Sequence, residues 1–402
     1  MLIVKKFGGS SVADKERILN VAERCVEDYK KGNDVVVVLS AMGKTTDHLI
    51  DMAHDINPNP SKREMDMLLA TGEQTSVALM SMAMATLGVP SISLNAFQVT
   101  MHTTSSHQNA RLKRIDTERI RRELDARRIV IVTGFQGVDK YDDYTTLGRG
   151  GSDTTAVALA AALHADACEI YTDVDGVYTA DPRKVPTARK LKEITYDEML
   201  DLATSGAGVL HNRSVEMAKK YGVPLVVRSS LNNSEGTVVK EVVSVERMLI
   251  SGVALDTDAV RIAVLGLRDV PGVAFKVFDT LAKKNINVDV ILQSIGRSGT
   301  KDISFTVNKD DLEDAVATLE EHKERLGFKE LHSERGIAKL SIVGSGMLSN
   351  PGVAAKMFES LYNEGVNINM ISTSEIRITV LISEKDGVRA MNAVHDAFGL
   401  AD

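Results

Sequence analysis

Along the first 230 residues, short apolar runs alternate with longer segments in which apolar residues recur with a helical period. The runs are rich in β-branched residues and predict strands at 35–39, 129–133, 169–172 and 225–228. Runs that are apolar on both faces are typical of a mainly parallel sheet sandwiched by helices. Ligands of such folds bind beyond the carboxyl ends of the strands, and glycines follow several of the predicted strands. We therefore expect several loops to converge on one crevice.

The last 150 residues repeat one pattern. Pro271 and Pro351 are 80 residues apart, as are Asn287 and Asn367, and the residues around each pair match. Each copy predicts a strand, a helix, two strands and a second helix, the order of a ferredoxin-like βαββαβ module. Two such modules could serve only to pair with other modules, or their polar loops could hold a small amino acid.

A glycine-rich segment, Gly148-Arg149-Gly150-Gly151-Ser152-Asp153, leads directly into an uncharged, alanine-rich helical segment. Glycines let a backbone approach a ligand closely, and a helix N-terminus favours negative charge. The guanidinium of Arg149 can hold a carboxylate or phosphate through two hydrogen bonds. The segment predicts an anion site, the alternative being an ordinary capped helix with a solvated arginine.

Composition narrows the class of protein. With 402 residues, 44% of them hydrophobic and 26% charged, the sequence is typical of a globular protein of two or three domains. A net charge of -7 and the lack of tryptophan argue against a nucleic-acid partner. The apolar runs are too short for a signal peptide or a membrane span, and the two cysteines suit a reducing compartment. We expect a cytoplasmic protein with neither a nucleic-acid nor a membrane partner.

Five segments resemble, in this order, the motifs of the aspartate kinases: Lys6-Phe7-Gly8-Gly9-Ser10-Ser11-Val12, Leu39-Ser40-Ala41-Met42-Gly43-Lys44-Thr45-Thr46-Asp47, Thr71-Gly72-Glu73, Gly148-Arg149-Gly150-Gly151-Ser152-Asp153 and Thr172-Asp173-Val174-Asp175-Gly176-Val177-Tyr178-Thr179-Ala180-Asp181-Pro182-Arg183. The resemblance covers nearly the whole chain. It implies an α/β amino-acid kinase domain of the carbamate-kinase-like type, with a mainly parallel sheet sandwiched by helices, followed by two ferredoxin-like ACT domains of α+β class. We place the kinase domain at 1–240 and the ACT domains at 250–335 and 336–402; in an alternative, intertwined arrangement, 250–260 completes the second.

The resemblance also implies an activity. An aspartate kinase transfers the γ-phosphoryl group of ATP, with Mg²⁺, to the side-chain carboxylate of L-aspartate and forms 4-phospho-L-aspartate. This is the first step towards lysine, threonine and methionine, and towards diaminopimelate. The acceptor carboxylate is already ionised at neutral pH, so the protein must position two anions and neutralise their repulsion rather than supply a general base.

Family positions assign the site residues. The catalytic pair would be Lys6 and Asp153, and aspartate would be bound by Ser40, Thr46, Glu73, Arg149, Gly150, Gly151 and Ser152. Within that set, Glu73 would hold the α-ammonium group and Arg149 a carboxylate. ATP would be bound by Lys6, Phe7, Gly8, Gly9, Ser10, Thr172, Asp173, Tyr178, Thr179, Ala180, Asp181, Pro182 and Arg183. No dedicated metal ligands are expected, because Mg²⁺ can be carried by the phosphates.

Simpler interpretations stand beside these assignments. Lys6 could be an edge-strand lysine that keeps the sheet soluble, and for Lys5 that interpretation is the preferred one. Glu73 could be a surface carboxylate of a helix, Thr46 a helix cap, and Asp153 a residue that complements a helix dipole.

For regulation, the resemblance implies lysine, threonine or both as feedback effectors at the ACT domains. The candidate contacts are Asp269, Asn287, Val288, Asp289 and Gln293 in the first copy and Val353, Ala354, Asn367, Ile368, Ser374 and Glu375 in the second. Any one of these could instead be an ordinary solvated strand end. ACT domains commonly pair, so we expect a homo-oligomer. A separate tail-only subunit that starts near Met248, as in some relatives, is an open alternative.

One position departs from the family pattern. Gly208 stands where many relatives carry a lysine that contacts ATP, and either Lys219 or Lys220 could replace it. His211, close by, is expected to be a packing residue. The open alternatives are a kinase for another small acceptor, such as acetylglutamate, glutamate or a nucleoside monophosphate, and a catalytically silent amino-acid sensor.

Overall fold

The computed structural model describes residues 1–242, 249–295 and 299–401, which form two compact units. The first unit holds residues 1–177, 190–203 and 208–242. The second holds 178–189, 204–207 and the described residues from 249 onward. Met248 lies outside the described residues. The proposed domain boundaries stay a prediction.

The first unit contains short strands and longer helices. Its strands are β1 (Leu2–Phe7), β2 (Asp34–Leu39), β3 (Ser91–Leu94), β4 (Met101–Thr103), β5 (Leu112–Ile115), β6 (Ile129–Thr133), β7 (Gln136–Val138), β8 (Tyr144–Thr146), β9 (Ala167–Thr172), β10 (Glu193–Thr195), β11 (Leu225–Ser229) and β12 (Thr237–Lys240). Its helices are α1 (Lys15–Lys30), α2 (Thr45–Ile56), α3 (Lys62–Thr86), α4 (Glu118–Asp125), α5 (Gly151–Leu163), α6 (Tyr196–Thr204) and α7 (Asn212–Tyr221).

Eight strands form the main sheet, in the order β10-β12-β11-β9-β1-β2-β6-β3. Every pair is parallel except β11 with β12. Strand β6 is buried along its whole length, and alternate residues of β2 pack with α1 and α3 in one apolar cluster. These strands therefore face helices on both sides, and the predicted parallel α/β fold is confirmed. Four short strands form a second sheet, in the order β5-β4-β7-β8.

Strand β1 lies inside the main sheet and carries a lysine on each face, because successive side chains of a strand point to opposite sides. Lys5 faces α1, with its Nζ 2.5 Å from Asp28 Oδ2 and 2.9 Å from Glu169 Oε2. Lys6 faces α5. Lys5 is only 1% exposed, so its interpretation as a solubilising edge lysine is wrong. Lys5 is buried because β1 has a neighbouring strand on each side, β9 and β2. The local sequence does not show whether a strand lies inside a sheet or at its edge.

The second unit is built from longer strands. They are β13 (Gly252–Arg268), β14 (Ile291–Ile295), β15 (Thr300–Asn308), β16 (Glu330–Val343), β17 (Met370–Thr373) and β18 (Arg377–Ser383). The helices are α8 (Val273–Ala282), α9 (Leu312–Glu321), α10 (Lys323–Leu326), α11 (Val353–Asn363) and α12 (Gly387–Ala397). The strands join in one sheet with the order β14-β15-β13-β16-β18-β17.

Strands β13 and β16 are shared by both copies of the repeat. From Ala259 onward, β13 pairs with β15 of the first copy, whereas its earlier residues pair with the end of β16. That same end of β16 pairs with β18 of the second copy. Two apolar clusters, one per copy, pack the helices on this sheet. The expected pair of ferredoxin-like modules is therefore present, joined through its two longest strands.

Residues 178–189 belong to the second unit. Thr179 is fully buried, and its Oγ1 lies 2.9 Å from Nε2 of His395 on α12. The backbone N–H of Val253 on β13 donates to the carbonyl oxygen of Thr179 over 2.7 Å. The segment is thus tied to both the sheet and the last helix of its unit.

No helix in the described part of the chain is long and apolar enough to cross a membrane. Cys25 and Cys168 are both free and buried. Burial raises the pKa of the Cys25 thiol to about 12, so it stays protonated at neutral pH and acts as an apolar packing group.

Candidate active site

A cleft of about 680 Å³ opens in the first unit, beyond the carboxyl ends of β1 and β2 and at the N-terminus of α5. All the predicted catalytic and aspartate-binding residues line it, together with two of the predicted phosphate-binding glycines: Lys6, Gly8, Gly9, Ser40, Thr46, Glu73, Arg149, Gly150, Gly151, Ser152 and Asp153. The structure thus brings together residues from four of the five sequence motifs.

Lys6 and Asp153 form an ion pair across the floor of this cleft. Nζ of Lys6 lies 2.7 Å from Oδ1 of Asp153, which stands in the first turn of α5. Both side chains are largely buried, so the pair is weakly screened by water. The carboxylate therefore fixes the position of a cation just where β1 ends.

In the glycine turn after β1, Gly9 lies so close to its neighbours that a side chain would not fit. A Cβ on Gly9 would lie 2.7 Å from the carbonyl oxygen of Ala41. A Cβ on Gly8 would meet Nζ of Lys6 at 3.5 Å. Main-chain N–H groups can consequently approach a ligand directly beside the lysine.

Glu73 lies on α3 and is 3% exposed. Its Oε1 accepts a hydrogen bond from the backbone N–H of Ala41 at 3.0 Å, while Oε2 has no partner among the described residues. Burial raises the pKa of this carboxyl group to about 7, although the Ala41 hydrogen bond opposes the shift. A buried acceptor with one oxygen unpaired is suited to a cationic donor such as an ammonium group.

The loop before α5 presents Arg149 between two glycines with left-handed backbones, Gly148 at φ +78° and Gly150 at φ +67°. A Cβ on Gly150 would come within 2.2 Å of the ring of His211, so the position requires glycine. Ser152 follows in the first turn of α5, and its Oγ accepts a hydrogen bond from Ser40 Oγ at 2.9 Å. Arg149 is exposed and extends from a closely packed base.

The remaining predicted nucleotide residues do not line this cleft. Phe7 is buried and stacks on Tyr171, Ser10 is exposed, and Thr172 donates a hydrogen bond to Asp173. In the second unit, Thr179 and Ala180 are buried, and Tyr178 packs against the apolar cluster that contains Ala180. Pro182 is exposed and stands between Asp181 and Arg183, which form an ion pair. Their part in binding ATP stays a prediction.

The predicted effector residues lie in the loops and strands of the second unit. In the first copy, Asp269 pairs with Lys301 at 2.9 Å and Asp289 with the buried Lys339 at 2.6 Å, while Asn287 and Gln293 are exposed and Val288 is half-buried. In the second copy, Val353 is buried, Ala354 and Ile368 pack against the core, and Asn367, Ser374 and Glu375 are exposed. Binding of effectors at these positions stays a prediction.

His211 and the lysines near Gly208 lie outside the cleft lining. His211 caps α7 and packs against Gly150, and burial lowers the pKa of its imidazole. Nζ of Lys219 lies 2.6 Å from Asp197, and Nζ of Lys220 lies over the ring of Tyr221. A Cβ on Gly208 would meet open space, so packing does not explain this departure from the family pattern.

Sequence reasoning missed several residues of this region. Gln108, Phe135 and Thr146 line the cleft, and Asp66 lies behind it. Asp66 precedes Glu73 by seven residues on α3, so two helical turns bring both carboxylates to one buried, mainly apolar face. A carboxylate at such a position was the signal available in the sequence.

Comparison with known proteins adds to this geometry. The amino acid kinase family profile matches residues 1–229, and an ACT domain profile matches 262–322 and 340–398. The chain is 54% identical over 402 residues to an aspartokinase of Geobacillus stearothermophilus, covering 100% of this chain and 98% of that relative. The chain belongs to the aspartokinase family.

Solved aspartokinases share the architecture. E. coli aspartokinase III in complex with aspartate and ADP is 26% identical, with a TM-score of 0.86 and 99% coverage of both chains. The same protein in complex with lysine and aspartate has a TM-score of 0.76, at the same identity and coverage. The resemblance found in the sequence is therefore confirmed, as is a phosphotransferase fold followed by ACT domains.

Proposed function

We propose that this aspartokinase transfers the γ-phosphoryl group of ATP to the side-chain carboxylate of L-aspartate. The observation that supports the assignment is the convergence in one cleft of Lys6, Glu73 and Arg149. A cation, an unpaired buried carboxylate and a guanidinium complement a phosphoryl group, an α-ammonium and a carboxylate respectively. The E. coli relative was solved with aspartate and ADP.

The chain's own groups then act by position and charge. Lys6, held by Asp153, would stabilise the transferring phosphoryl oxygens, and the N–H group of Gly9 would contact them. Glu73 and Arg149 would orient aspartate so that its side-chain carboxylate attacks the γ-phosphorus in line as the bond to the β-γ bridging oxygen breaks. ADP leaves with that oxygen. No proton has to move in this step.

Mg²⁺ fits this site as an ion carried by the nucleotide. Among the described residues, no group of three His, Cys, Asp or Glu side chains is placed to hold a metal ion, and Asp153 is engaged by Lys6. Phosphate oxygens and water would hold the ion, as Mg²⁺ prefers, and its charge would reduce the repulsion between ATP and aspartate.

Regulation by lysine, threonine or both is the second part of the proposal. The E. coli relative was solved with lysine and aspartate, and this chain carries the same domain order. An effector acts by binding one arrangement of the protein more tightly than another, so it should shift the apparent affinity for aspartate. We further infer a homo-oligomer through the ACT domains and a cytoplasmic location, which the two buried free thiols support.

One assay of ADP release tests the activity. The purified chain receives ATP, Mg²⁺ and one acceptor at a time: aspartate, glutamate, acetylglutamate or a nucleoside monophosphate. We expect turnover with aspartate alone, and a loss on the order of 100-fold or more in Lys6→Ala because the developing charge loses its cation. No turnover with any acceptor would identify a silent sensor, and preference for another acceptor would reject aspartate. Adding lysine and threonine, singly and together, tests the effectors in the same assay.

A further inference from the structure

Behind the cleft, α3 carries a second buried carboxylate that touches no candidate ligand group. Asp66 is 0% exposed. Its Oδ1 accepts from the hydroxyl of Thr146 at 2.6 Å, and its Oδ2 accepts from the backbone N–H of Thr146 at 3.0 Å. The backbone N–H of Gln108 donates to the same carboxylate at 3.0 Å, as does Nδ1 of His107 at 2.9 Å. Four donors, two from the loop at 107–108 and two from the end of β8, therefore meet at one side chain.

The loop at 107–108 and the end of β8, with the loop that follows it, form one wall of the cleft. Gln108 and Thr146 line it, and Arg149 follows Thr146 by three residues. The loops also lie directly against each other, since a Cβ on Gly148 would come within 2.9 Å of the carbonyl oxygen of Gln108. A displacement of the loop that contains Gln108 would therefore move the backbone at Arg149.

The rest of the wall is held by main-chain groups and by Arg213. The guanidinium of Arg213 donates to the carbonyl oxygens of Leu147 at 2.7 Å and Ala110 at 3.1 Å. Ala110 N–H in turn donates to Thr146 O at 2.9 Å. Asp66 holds the same wall from α3, because it accepts from the N–H groups of Gln108 and Thr146. Without that acceptor, the buried N–H group of Thr146 and the half-buried N–H group of Gln108 would lose their partner in their present positions.

We propose that Asp66 is a positioning residue that sets the place of Arg149, and thereby the affinity for the amino-acid substrate, without touching that substrate. The proposal rests on the function assigned above to Arg149. The pair Lys6 and Asp153 stands on other elements, β1 and α5, and makes no hydrogen bond with Asp66. Loss of Asp66 should therefore affect aspartate binding far more than the binding of ATP.

The matched control is Glu198 on α6. This carboxylate is also buried, and it too accepts from the hydroxyl and the backbone N–H of one threonine, Thr195, at 2.8 and 3.3 Å. It lines no part of the cleft. Glu198→Gln thus reproduces the loss of a buried acceptor, whereas Asp66→Asn adds the specific effect on the wall.

The experiment measures kcat and the KM values for aspartate and ATP in the purified full chain, wild type and variants. In Asp66→Asn we expect the KM for aspartate to rise by about tenfold or more, with the KM for ATP within about twofold and kcat within about threefold of wild type. Glu198→Gln should leave all three within about twofold. Amide hydrogen exchange at Gln108 and Thr146 should quicken in Asp66→Asn alone.

A milder variant covers the case in which Asp66→Asn does not fold. His107 is partly exposed, and its ring nitrogen donates to Asp66, so His107→Ala removes one of the four donors. We expect a smaller rise in the same KM. An unchanged KM for aspartate in the folded variants, or an equal rise for both substrates, overturns the proposal. A wild-type protein that releases no ADP with aspartate would instead overturn the proposed function. The exchange measurement would still test whether Asp66 holds the backbone of Gln108 and Thr146 in place.

Discussion

The surroundings of Glu73 shift the pKa of its carboxyl group into the neutral range. Burial raises the pKa of its carboxyl group to about 7, so ionised and neutral forms coexist near neutral pH in the free protein. Only the ionised form can pair with an α-ammonium group. We therefore expect the KM for aspartate to rise as the pH falls from about 8 to about 6, and Glu73→Gln to have a weaker but pH-independent affinity. A wild-type KM that stays level over this range would contradict the assignment.

The same shift predicts an effect on stability. A carboxyl group whose folded-state pKa is raised favours folding below its unfolded value and disfavours it as the pH rises through about 7. Glu73→Gln should accordingly be more stable than wild type near pH 8, by on the order of 3 kcal/mol, and no more stable near pH 4. Denaturant unfolding at both pH values, without substrate, measures this difference.

Lys5 is expected to contribute to stability rather than to turnover. It is the buried cation between Asp28 and Glu169, so Lys5→Ala would leave two carboxylates without their shared partner, at a cost of roughly 3 to 5 kcal/mol. Lys31 pairs with the same Asp28 but is 66% exposed, and Lys31→Ala should cost less than about 1 kcal/mol. Denaturant unfolding compares the two, and equal losses would show that burial is not what matters.

At the level of single side chains, the motifs that resemble those of the aspartate kinases identified groups that converge in the cleft. Lys5 was misjudged and Asp66 missed for a common reason. The role of each depends on which partners the fold brings beside it, Glu169 for Lys5 and Gln108 for Asp66. Those partners are more than 40 residues away in sequence, beyond the reach of a local pattern.

Helix α5 is preceded by a glycine whose backbone and surroundings both exclude a side chain. Gly150 has φ +67°, and an added Cβ would strike the half-buried ring of His211. Gly222 at the end of α7 has a similar φ of +63°, with open space around its Cβ position. Both alanine variants should lose about 1 to 2 kcal/mol to backbone strain, and Gly150→Ala roughly 1 to 3 kcal/mol more.

Thermal unfolding and the ADP assay together measure this comparison. Gly150→Ala should also lose most of its turnover, because a shift at the start of α5 moves both Arg149 and Asp153. Gly222→Ala should keep wild-type kinetics. Equal stability in the two variants would show that the His211 ring can move aside without a loss in the free energy of unfolding.

Secondary structure was predictable where a strand is buried on both faces. The runs at 35–39, 129–133, 169–172 and 225–228 correspond to β2, β6, β9 and β11, whose ends differ from the prediction by two residues at most. The small sheet of β4, β5, β7 and β8 was not predicted. Its strands have only three or four residues each, and they include exposed Lys113 and Arg114, so no apolar period marks them.

In the second unit, His395 links the last helix to the segment 178–189. Burial lowers the pKa of this imidazole, although Asp396 opposes the shift, so the folded protein holds it neutral. Because the unfolded chain binds the proton more readily, the unit should lose stability as the pH falls below the ordinary range of histidine. We expect His395→Gln to show a shallower loss between about pH 7 and about pH 5. His332, which is 61% exposed, provides the control, and its glutamine variant should follow wild type.

The arrangement of β13 and β16 limits how the tail can be divided. Each of these two strands belongs to both copies of the repeat. A cut between residues 335 and 336 would divide β16 and remove part of a strand from each copy. A chain beginning at Met248 would, in contrast, retain Gly252–Arg268 intact. Because both copies of the repeat share β13 and β16, an amino acid that bound to one copy would act on strands that also belong to the other.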